Sequence, residues 1–287
     1  MRQRKLTVIL LCILLLLYAG NALVQAFNRE DGIPIIGYHH IVPDADKQAF
    51  FPNNMWVISL SDFERQMQLL KEEGYHSVTL EDVYAWKMGK KDLDEKSIAI
   101  TFDDGFYSTT KFAQPVLKRY GFTGSVFVIG SAIDEQHGPY DPKLRQHASH
   151  ADMQDERVLQ YFSHSYDLHH KNADGFRIDQ LNDEQLQRDT EQAAKQGSIT
   201  YYAYPYGKYN KRIQKILKDN GTRLAFGYNE NRKAKRSDDS YALPRFNVNA
   251  YTRLDVFRAM LESKKEKNTD FPSTIVIRLC WASDICI

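Results

Sequence analysis

The 287-residue sequence has little cysteine and no surplus of charge of either sign. Its three cysteines exclude a disulfide-rich scaffold. They also exclude a cysteine-based zinc site, because Cys12 is far from Cys280 and Cys286. Lys and Arg total 38, against 37 Asp and Glu. Proteins that bind the phosphates of nucleic acid usually carry an excess of basic residues, so nucleic acid is not an expected partner. With 43% hydrophobic and 26% charged residues, the composition is that of a globular domain.

The N-terminus predicts export from the cytoplasm. A basic start is followed by the apolar run Val8–Tyr18, by small residues, and by a candidate cleavage site at Val24-Gln25-Ala26; these are the three parts of a secretion signal. A retained anchor is the alternative, since 6–27 is mostly apolar and a membrane span needs about 20 residues. We therefore expect a signal peptide or signal anchor at 1–27 and an extracytoplasmic domain at 28–287, secreted, at the cell surface or held at the membrane.

From Ile33 onward, strand-like and helix-like segments alternate, which predicts βαβ units and a parallel sheet, open or closed into a barrel. Two helix starts carry capping signals, Ser61 with Glu64 and Asn182 with Gln185. The predicted strands are 33–38, 76–80, 97–102, 125–129, 158–162, 200–204 and 222–227, and the predicted helices are 61–73, 80–89, 110–119, 182–196, 210–220 and 253–263.

Two polar segments interrupt this alternation. The His-rich stretch 138–156 predicts an insertion or a long loop. The stretch 231–239 predicts a charged, solvated loop, with contact to an anionic polymer as the alternative.

The residues that can carry chemistry follow two different predicted strands. Asp103 and Asp104 come directly after the buried strand 97–102, and His164 and His169 follow the strand 158–162. Active sites of α/β proteins lie at such strand ends. One aspartate and two histidines form a facial ligand set for a divalent metal, with positions left for water and substrate.

Each half of this pattern has an ordinary alternative. Asp-Asp-Gly often forms only a turn, and a histidine pair is often surface or hydrogen-bonded filler. His170 stands beside His169, so the ligand set could be miscounted. The two halves together are more specific, because each follows its own strand.

With these motifs in place, the chain resembles the polysaccharide deacetylase (NodB-homology, carbohydrate esterase 4) family from about residue 33 to residue 263. The resemblance rests on Thr101-Phe-Asp-Asp-Gly105, His164-Ser-Tyr-Asp-Leu-His169 and Tyr204-Pro-Tyr-Gly207. Gly37-Tyr-His-His40 and the five-residue histidine spacing are most similar to the exopolysaccharide branch, which deacetylates poly-β-1,6-N-acetylglucosamine during biofilm matrix formation.

The resemblance implies a distorted, incomplete (β/α) barrel and metal-dependent hydrolysis of an N-acetyl amide. It makes Asp103 the general base and assigns Asp104, His164 and His169 to one divalent metal. Zinc, cobalt and nickel suit two histidines and a carboxylate equally well. The proline motif, Pro205 with the backbone N–H of Tyr206, is implied to bind the oxyanion.

Two departures from the family pattern bear on the site. The arginine that usually precedes the proline motif is absent from 198–204, and Arg245 is a candidate to supply its charge to Asp103, or else forms a structural salt bridge. The usual C-terminal histidine acid is also absent, because no histidine follows His170. Either the tail 275–287, with Cys280 and Cys286, is an altered terminus or another residue is the acid. His39 is the candidate acid, with a buried structural role as its alternative.

Three functions therefore remain open. The main prediction is an exported N-deacetylase of a β-linked N-acetylglucosamine polymer. A deacetylase of peptidoglycan or chitin-type glycans uses the same motifs. A non-catalytic carbohydrate-binding protein on the same fold is the third, although a binder has no need for the metal ligands.

Overall fold

The computed structural model describes residues 32–133, 138–154, 157–228 and 230–262. The predicted signal segment 1–27 and the tail 275–287 lie outside these residues. Within them the chain forms the following strands: β1 Ile35–Tyr38, β2 His40–Val42, β3 Val57–Ser59, β4 His76–Ser77, β5 Ser97–Phe102, β6 Gly124–Val128, β7 Leu159–Ser163, β8 Lys171–Asn172, β9 Gly175–Phe176, β10 Ser198–Ala203, β11 Leu224–Phe226 and β12 Phe246–Asn247.

Eight of these strands form one parallel sheet in the order β11-β10-β7-β6-β5-β1-β12, with β4 beside the start of β5. Within it β1 and β5 are in register from Ile35 opposite Ala99 to Tyr38 opposite Phe102. The sheet curls into a half-barrel, so the α/β, incomplete-barrel prediction is confirmed for the described residues. The carboxyl ends of β1, β5, β7 and β10 therefore meet on one rim.

Helices cover the outside of the sheet. They are α1 Asp44–Phe50, α2 Leu60–Glu72, α3 Leu80–Lys87, α4 Gln114–Tyr120, α5 Arg177–Gln180, α6 Asp183–Gln196, α7 Lys211–Asp219 and α8 Leu254–Leu261. A π-helix at Thr109–Ala113 leads into α4, and 3₁₀ turns lie at Gly130–Ala132 and Pro205–Gly207. No helix among the described residues combines the length and the apolar character needed to cross a membrane.

The two predicted capping boxes have different outcomes. Asn182 caps α6 and forms the expected reciprocal box with Gln185. The box at Ser61 is wrong: Ser59 is the N-cap of α2, and its Oγ accepts a hydrogen bond from the backbone N–H of Asp62 at 3.2 Å. Ser59 holds this position because it is the last residue of β3 and keeps an extended backbone, as an N-cap requires.

The predicted helix 110–119 is helical throughout, but its first part is a π-helix and only its second part is an α-helix. Pro115 has no N–H to donate to the preceding turn, so an α-helix cannot run through it unbroken. The chain instead makes the wider π turn before the α-helix begins at Gln114.

Both polar segments pack against the rest of the fold. In 138–154, the carbonyl of Gln146 accepts a hydrogen bond from the N–H of Tyr107 at 2.9 Å, next to the end of β5. In 231–239, Arg232 forms two 2.9 Å hydrogen bonds with Asp238, and Arg236 pairs with Asp92 at 2.5 Å. Both arginines are thus paired with carboxylates of the chain.

Candidate metal centre and active-site rim

Three candidate ligands meet on the rim of the half-barrel. Asp104 lies two residues beyond β5, His164 follows β7, and His169 lies five residues further along. Oδ1 of Asp104 is 3.5 Å from Nε2 of His164 and 3.3 Å from Nε2 of His169. All three ligand atoms lie within 4.8 Å of one another. Ligands at about 2.1 Å in a tetrahedral site stand about 3.4 Å apart, so the spacing fits one zinc-like ion.

The chemistry of the three side chains also fits a metal. Oδ1 of Asp104 is buried and has no hydrogen-bond partner in the described part of the chain, and an orphaned buried carboxylate oxygen is costly without a cation. Nδ1 of His164 donates to the carbonyl of Ala203 at 2.8 Å, which leaves Nε2 free to ligate. Burial lowers the pKa of His169 to about 4, so its imidazole is neutral near pH 7, as a metal ligand must be.

The turn between the two histidines is held from outside. Asp189 in α6 accepts hydrogen bonds from the N–H groups of Tyr166 at 3.0 Å and Asp167 at 2.7 Å. Ser165, in the left-handed region with φ 74°, accepts another from the N–H of Leu168. These bonds bend the chain so that His169 returns to face His164.

The neighbouring His170 takes no part in this cluster. Its ring is mostly exposed, and Nε2 lies 2.8 Å from Oδ1 of Asp167. The geometry therefore selects His169, and not His170, as the partner of His164 and Asp104.

The second carboxylate, Asp103, has a different partner. Arg245, just before β12, donates from Nη1 to Oδ1 at 2.7 Å and from Nη2 to Oδ2 at 2.8 Å. The side chains are 0% and 3% exposed. Burial raises the pKa of Asp103, but the charges of Arg245 and His164 outweigh burial, so its pKa lies below the ordinary value. Asp103 is thus an ionised buried carboxylate beside the candidate metal ligands.

The guanidinium of Arg245 is fixed by more than its ion pair. Nε donates to the carbonyl of Gly227 at 3.0 Å, and Nη1 also reaches Oγ1 of Thr101 at 3.1 Å. Its flat face lies 4.6 Å from the ring centre of Tyr228. Arg245 therefore has one orientation in the barrel interior.

His39 comes at the end of β1 and lies on the same rim. Its ring packs against Trp56 at 4.5 Å and Tyr228 at 5.2 Å between centres. Burial lowers the pKa of His39, and the charges of Asp104 and Asp103 act in the opposite direction. The residue as a whole is half-buried.

The proline motif forms one wall of the rim. Pro205 is buried, and Tyr206 adopts a left-handed backbone with φ 56°. The ring of Tyr206 stacks on His169 at 4.3 Å and contacts Phe176 of β9 at 4.9 Å. The ammonium groups of Lys171 and Lys208 lie 5.5 and 5.1 Å from the centre of the Phe176 ring. This wall therefore combines aromatic surface with positive charge.

Sequence patterns gave no sign of several residues that build the site. Asp189 is separated from the turn it holds by more than 20 positions, and Tyr228 and His147 belong to no motif. The His-rich composition of 138–156 was the only signal for His147, whose Nδ1 lies 2.9 Å from the backbone carbonyl of Asp104.

Together, the parallel half-barrel and an Asp-His-His cluster beside a second buried aspartate define an α/β protein of the half-barrel type with a candidate metal centre at its strand ends. Residues 90–225 match the family model described as polysaccharide deacetylase. These residues carry the pattern of the polysaccharide deacetylases, a family of hydrolases that act on the amide bond of N-acetyl groups.

Similar proteins extend the match beyond that region. The chain is 28% identical over 239 residues to YxkH of Bacillus subtilis (strain 168), named as a candidate polysaccharide deacetylase, covering 81% of this chain and 77% of that one. It is 24% identical over 277 residues to the poly-β-1,6-N-acetyl-D-glucosamine N-deacetylase of Staphylococcus aureus (strain N315), covering 85% and 92%. The solved structure of the Streptococcus pyogenes deacetylase PplD in complex with acetate has the same fold, with a TM-score of 0.68 and 22% identity over 80% of this chain and 98% of that one.

Proposed function

We propose that this protein is an exported, metal-dependent N-deacetylase of a β-linked N-acetylglucosamine polymer, with poly-β-1,6-N-acetylglucosamine of a biofilm matrix as its substrate. The observation that carries the proposal is the buried Asp103–Arg245 pair next to the convergent Asp104, His164 and His169. A general base and a ligand set side by side are what hydrolysis of an unactivated amide requires.

The residues divide the work as follows. Asp104, His164 and His169 hold one divalent ion, zinc, cobalt or nickel. When bound, such an ion polarises the acetyl carbonyl and lowers the pKa of a coordinated water. Asp103 accepts the proton of the attacking water, and Arg245 keeps that carboxylate ionised and oriented.

Two further groups complete the proposed mechanism. The backbone N–H of Tyr206, in the turn after Pro205, donates to the oxyanion that develops on the acetyl carbonyl. His39 passes a proton to the leaving amine. Because burial lowers its pKa, His39 must first take up that proton, and the proton that Asp103 removes from the attacking water is the source.

The substrate proposal rests on similarity and on the rim. A relative of 24% identity, matched over 92% of its length, is named for poly-β-1,6-N-acetyl-D-glucosamine. The partly exposed ring of Tyr206 beside the candidate ligands offers an apolar face of the kind on which pyranose rings stack.

One observation favours a second candidate, an N-acetylglucosamine glycan that carries acidic groups, such as peptidoglycan. Lys171 and Lys208 are exposed on the rim and form no ion pair within the described residues. Two such ammonium groups attract a carboxylate on a neighbouring sugar, whereas poly-β-1,6-N-acetylglucosamine is neutral. A chitin-type substrate and a purely carbohydrate-binding role are outcomes of the same tests.

The location is proposed from the sequence. The basic and apolar segment 1–27 directs the domain out of the cytoplasm. There the domain is secreted, lies at the cell surface or is anchored to the membrane. Matrix and wall polysaccharides are found on that side of the membrane, so the proposed substrate and the proposed location agree.

Acetate release tests the reaction and its metal together. Purified protein should release acetate from a β-1,6-linked N-acetylglucosamine oligomer. A chelator should stop acetate release, and addition of zinc, cobalt or nickel should restore it. His164→Ala and His169→Ala should lose both metal and activity, while His170→Ala, the adjacent control, should keep both. Unchanged metal content in the first two variants would contradict the ligand assignment.

Matched glycans test the substrate class. We expect faster acetate release from β-1,6-linked than from β-1,4-linked N-acetylglucosamine oligomers, and little from a fragment containing muramic acid. The opposite order, with a rate on the acidic fragment that falls in Lys171→Gln/Lys208→Gln and in added salt, would favour the peptidoglycan candidate. Specific binding without acetate release at any metal loading would favour the carbohydrate-binding protein.

A further inference from the structure

The backbone that carries Asp104 is held in a conformation that an aspartate disfavours. Asp104 and Gly105 are consecutive residues in the left-handed region, with φ 70° and 72°. Left-handed backbone costs a residue with a Cβ free energy, so the surroundings must impose it. Gly105 has no alternative at its position, because a Cβ there would lie 2.8 Å from Cγ1 of Val128.

Three hydrogen bonds from 146–148 impose this turn. The carbonyl of Gln146 accepts from the N–H of Tyr107, and the N–H of Ala148 donates to the carbonyl of Gly105, both at 2.9 Å. Nδ1 of His147 lies 2.9 Å from the carbonyl of Asp104 itself. The first two bonds are made by the backbone and survive any substitution other than proline. Only the third depends on which residue stands at 147.

The geometry also fixes how His147 makes its bond. A carbonyl oxygen only accepts, so Nδ1 must carry the proton. The ring stacks on Phe106 at 5.0 Å and 27°, and Phe106 stacks on the buried ring of His40 at 4.5 Å and 15°. This three-ring stack holds the donor at the Asp104 carbonyl.

We propose that His147 is a positioning residue for the candidate metal centre: its bond to the Asp104 carbonyl aims the Asp104 carboxylate at His164 and His169 and so sets the affinity for the divalent ion. The inference rests on the proposed metal-dependent function. The bonded carbonyl and the carboxylate belong to the same residue, so the orientation of the carboxylate follows from the Asp104 backbone. The two backbone bonds keep the turn when the His147 bond is lost, but the Asp104 peptide is then free to tilt within it, and Oδ1 is no longer held against the two imidazoles.

Two substitutions separate the hydrogen bond from the ring. His147→Asn keeps a side-chain N–H at nearly the position of Nδ1 but removes the ring. His147→Phe keeps a ring to stack on Phe106 but removes the donor. His150→Phe is the control, because His150 is exposed on the same segment and its side chain makes no bond to Asp104.

The measurement is a zinc titration of each metal-free protein against a chromophoric chelator, with thermal unfolding of the metal-free forms alongside. Loss of an outer partner of a ligand costs about 10–100-fold in metal affinity, and because this bond acts through the backbone we expect the low end, about tenfold, for His147→Phe. His147→Asn and His150→Phe should bind zinc as wild type does. His147→Leu, which also lacks a donor, should match His147→Phe, and it replaces that variant in the comparison if His147→Phe does not fold.

The outcomes are distinct. Wild-type zinc affinity in folded His147→Phe and His147→Leu would overturn the inference while leaving the proposed function intact. A loss of zinc affinity in His147→Asn as large as in those two variants would do the same. Wild-type protein that binds no divalent metal would overturn the proposed function and this inference with it. Weaker zinc binding in His147→Phe, together with wild-type zinc binding in His147→Asn, supports both the proposed function and this inference.

Discussion

Asp103 and Asp104 are adjacent in the chain but face different groups. Asp103 is paired on both oxygens with Arg245, whereas Asp104 faces two imidazoles with one oxygen unbonded. The left-handed backbone at Asp104 turns the second side chain away from the first. One carboxylate can therefore serve as a base while the other serves as a ligand.

This division predicts different losses for two isosteric substitutions. Asp104→Asn should weaken metal binding and remove turnover, because a neutral amide is a poorer ligand. Asp103→Asn should keep metal and substrate binding but lose the rate that a general base contributes, about 10²–10⁴-fold. Metal titration and acetate release, run on both variants side by side, measure this. Exchanged phenotypes would reverse the roles, and a fully active Asp103→Asn would remove the mechanism.

Arg245 should contribute to stability as one half of a buried pair. Arg245→Met leaves the Asp103 carboxylate buried without its cation, which typically costs about 3–5 kcal/mol of unfolding free energy. Adding Asp103→Leu removes the second charge as well and should recover much of that loss. Urea unfolding of the two single variants and the double variant gives the coupling. Strictly additive losses would mean that the pair is not coupled and that Arg245 acts through its other contacts.

At the scale of elements, the site depends on α6 as much as on the strands. Asp189 of α6 receives two backbone N–H groups from the turn between His164 and His169. Burial raises the pKa of Asp189 from 3.8 to about 6, against the effect of those hydrogen bonds. The folded protein thus holds a proton on Asp189 more tightly than the unfolded chain does.

The sign of the resulting pH dependence follows from linkage. Below about pH 4 the Asp189 carboxyl is protonated in both the folded and the unfolded state, so its raised pKa costs no stability. The cost to the free energy of unfolding grows with pH and reaches its full value above about pH 6. A shift of about two units corresponds to about 3 kcal/mol. We therefore expect the destabilisation caused by Asp189→Asn, which does not titrate, to be largest near pH 4 and to shrink toward pH 7.

Urea unfolding at pH 4, 5, 6 and 7 measures this difference. Asp183→Asn, on the exposed first turn of the same helix, removes a surface carboxylate that pairs with Arg212, and so controls for loss of a charge without burial. A wild-type-minus-variant difference for Asp189→Asn that is flat with pH, or that grows toward pH 7, would contradict the raised pKa.

Local signals predicted the elements better than their junctions. The alternation of apolar strands and amphipathic helices was enough for the parallel sheet, and Asn182 with Gln185 was enough for the start of α6. The N-cap of α2 was misplaced by two residues, because Ser59 and Ser61 are both residue types that cap helices and only the pairing of β3 with β2 decides between them. The π turn before α4 was missed because its cause, Pro115, is also an ordinary residue of a first helical turn.

At the scale of the whole molecule, the sequence predicted which residues could carry chemistry but not every contact among them. Strand ends on one rim brought Asp104, His164 and His169 together, as their order along the chain implied. Arg245 was a candidate partner of Asp103, with a structural salt bridge as its alternative, and no local pattern could choose between them because the two residues are 142 positions apart. His147 was invisible for the same reason, since its bond depends on how 138–154 lies against the end of β5.

The final prediction concerns where the whole chain works. Residues 1–27 combine a basic start, an apolar run and small residues, so residues 1–40 fused to a reporter that is active only outside the cytoplasm should give signal. The matched control, Leu14→Arg with Leu16→Arg, places two charges in the apolar run, each costing about 2.5–3.5 kcal/mol at the centre of an inserting helix, and should abolish it. Fractionation then separates the two forms: reporter released in soluble form indicates cleavage after Ala26, and reporter retained in the membrane at full fusion length indicates an anchor. A wild-type fusion that stays soluble in the cytoplasm would refute export, and it would separate the enzyme from any polysaccharide outside the membrane.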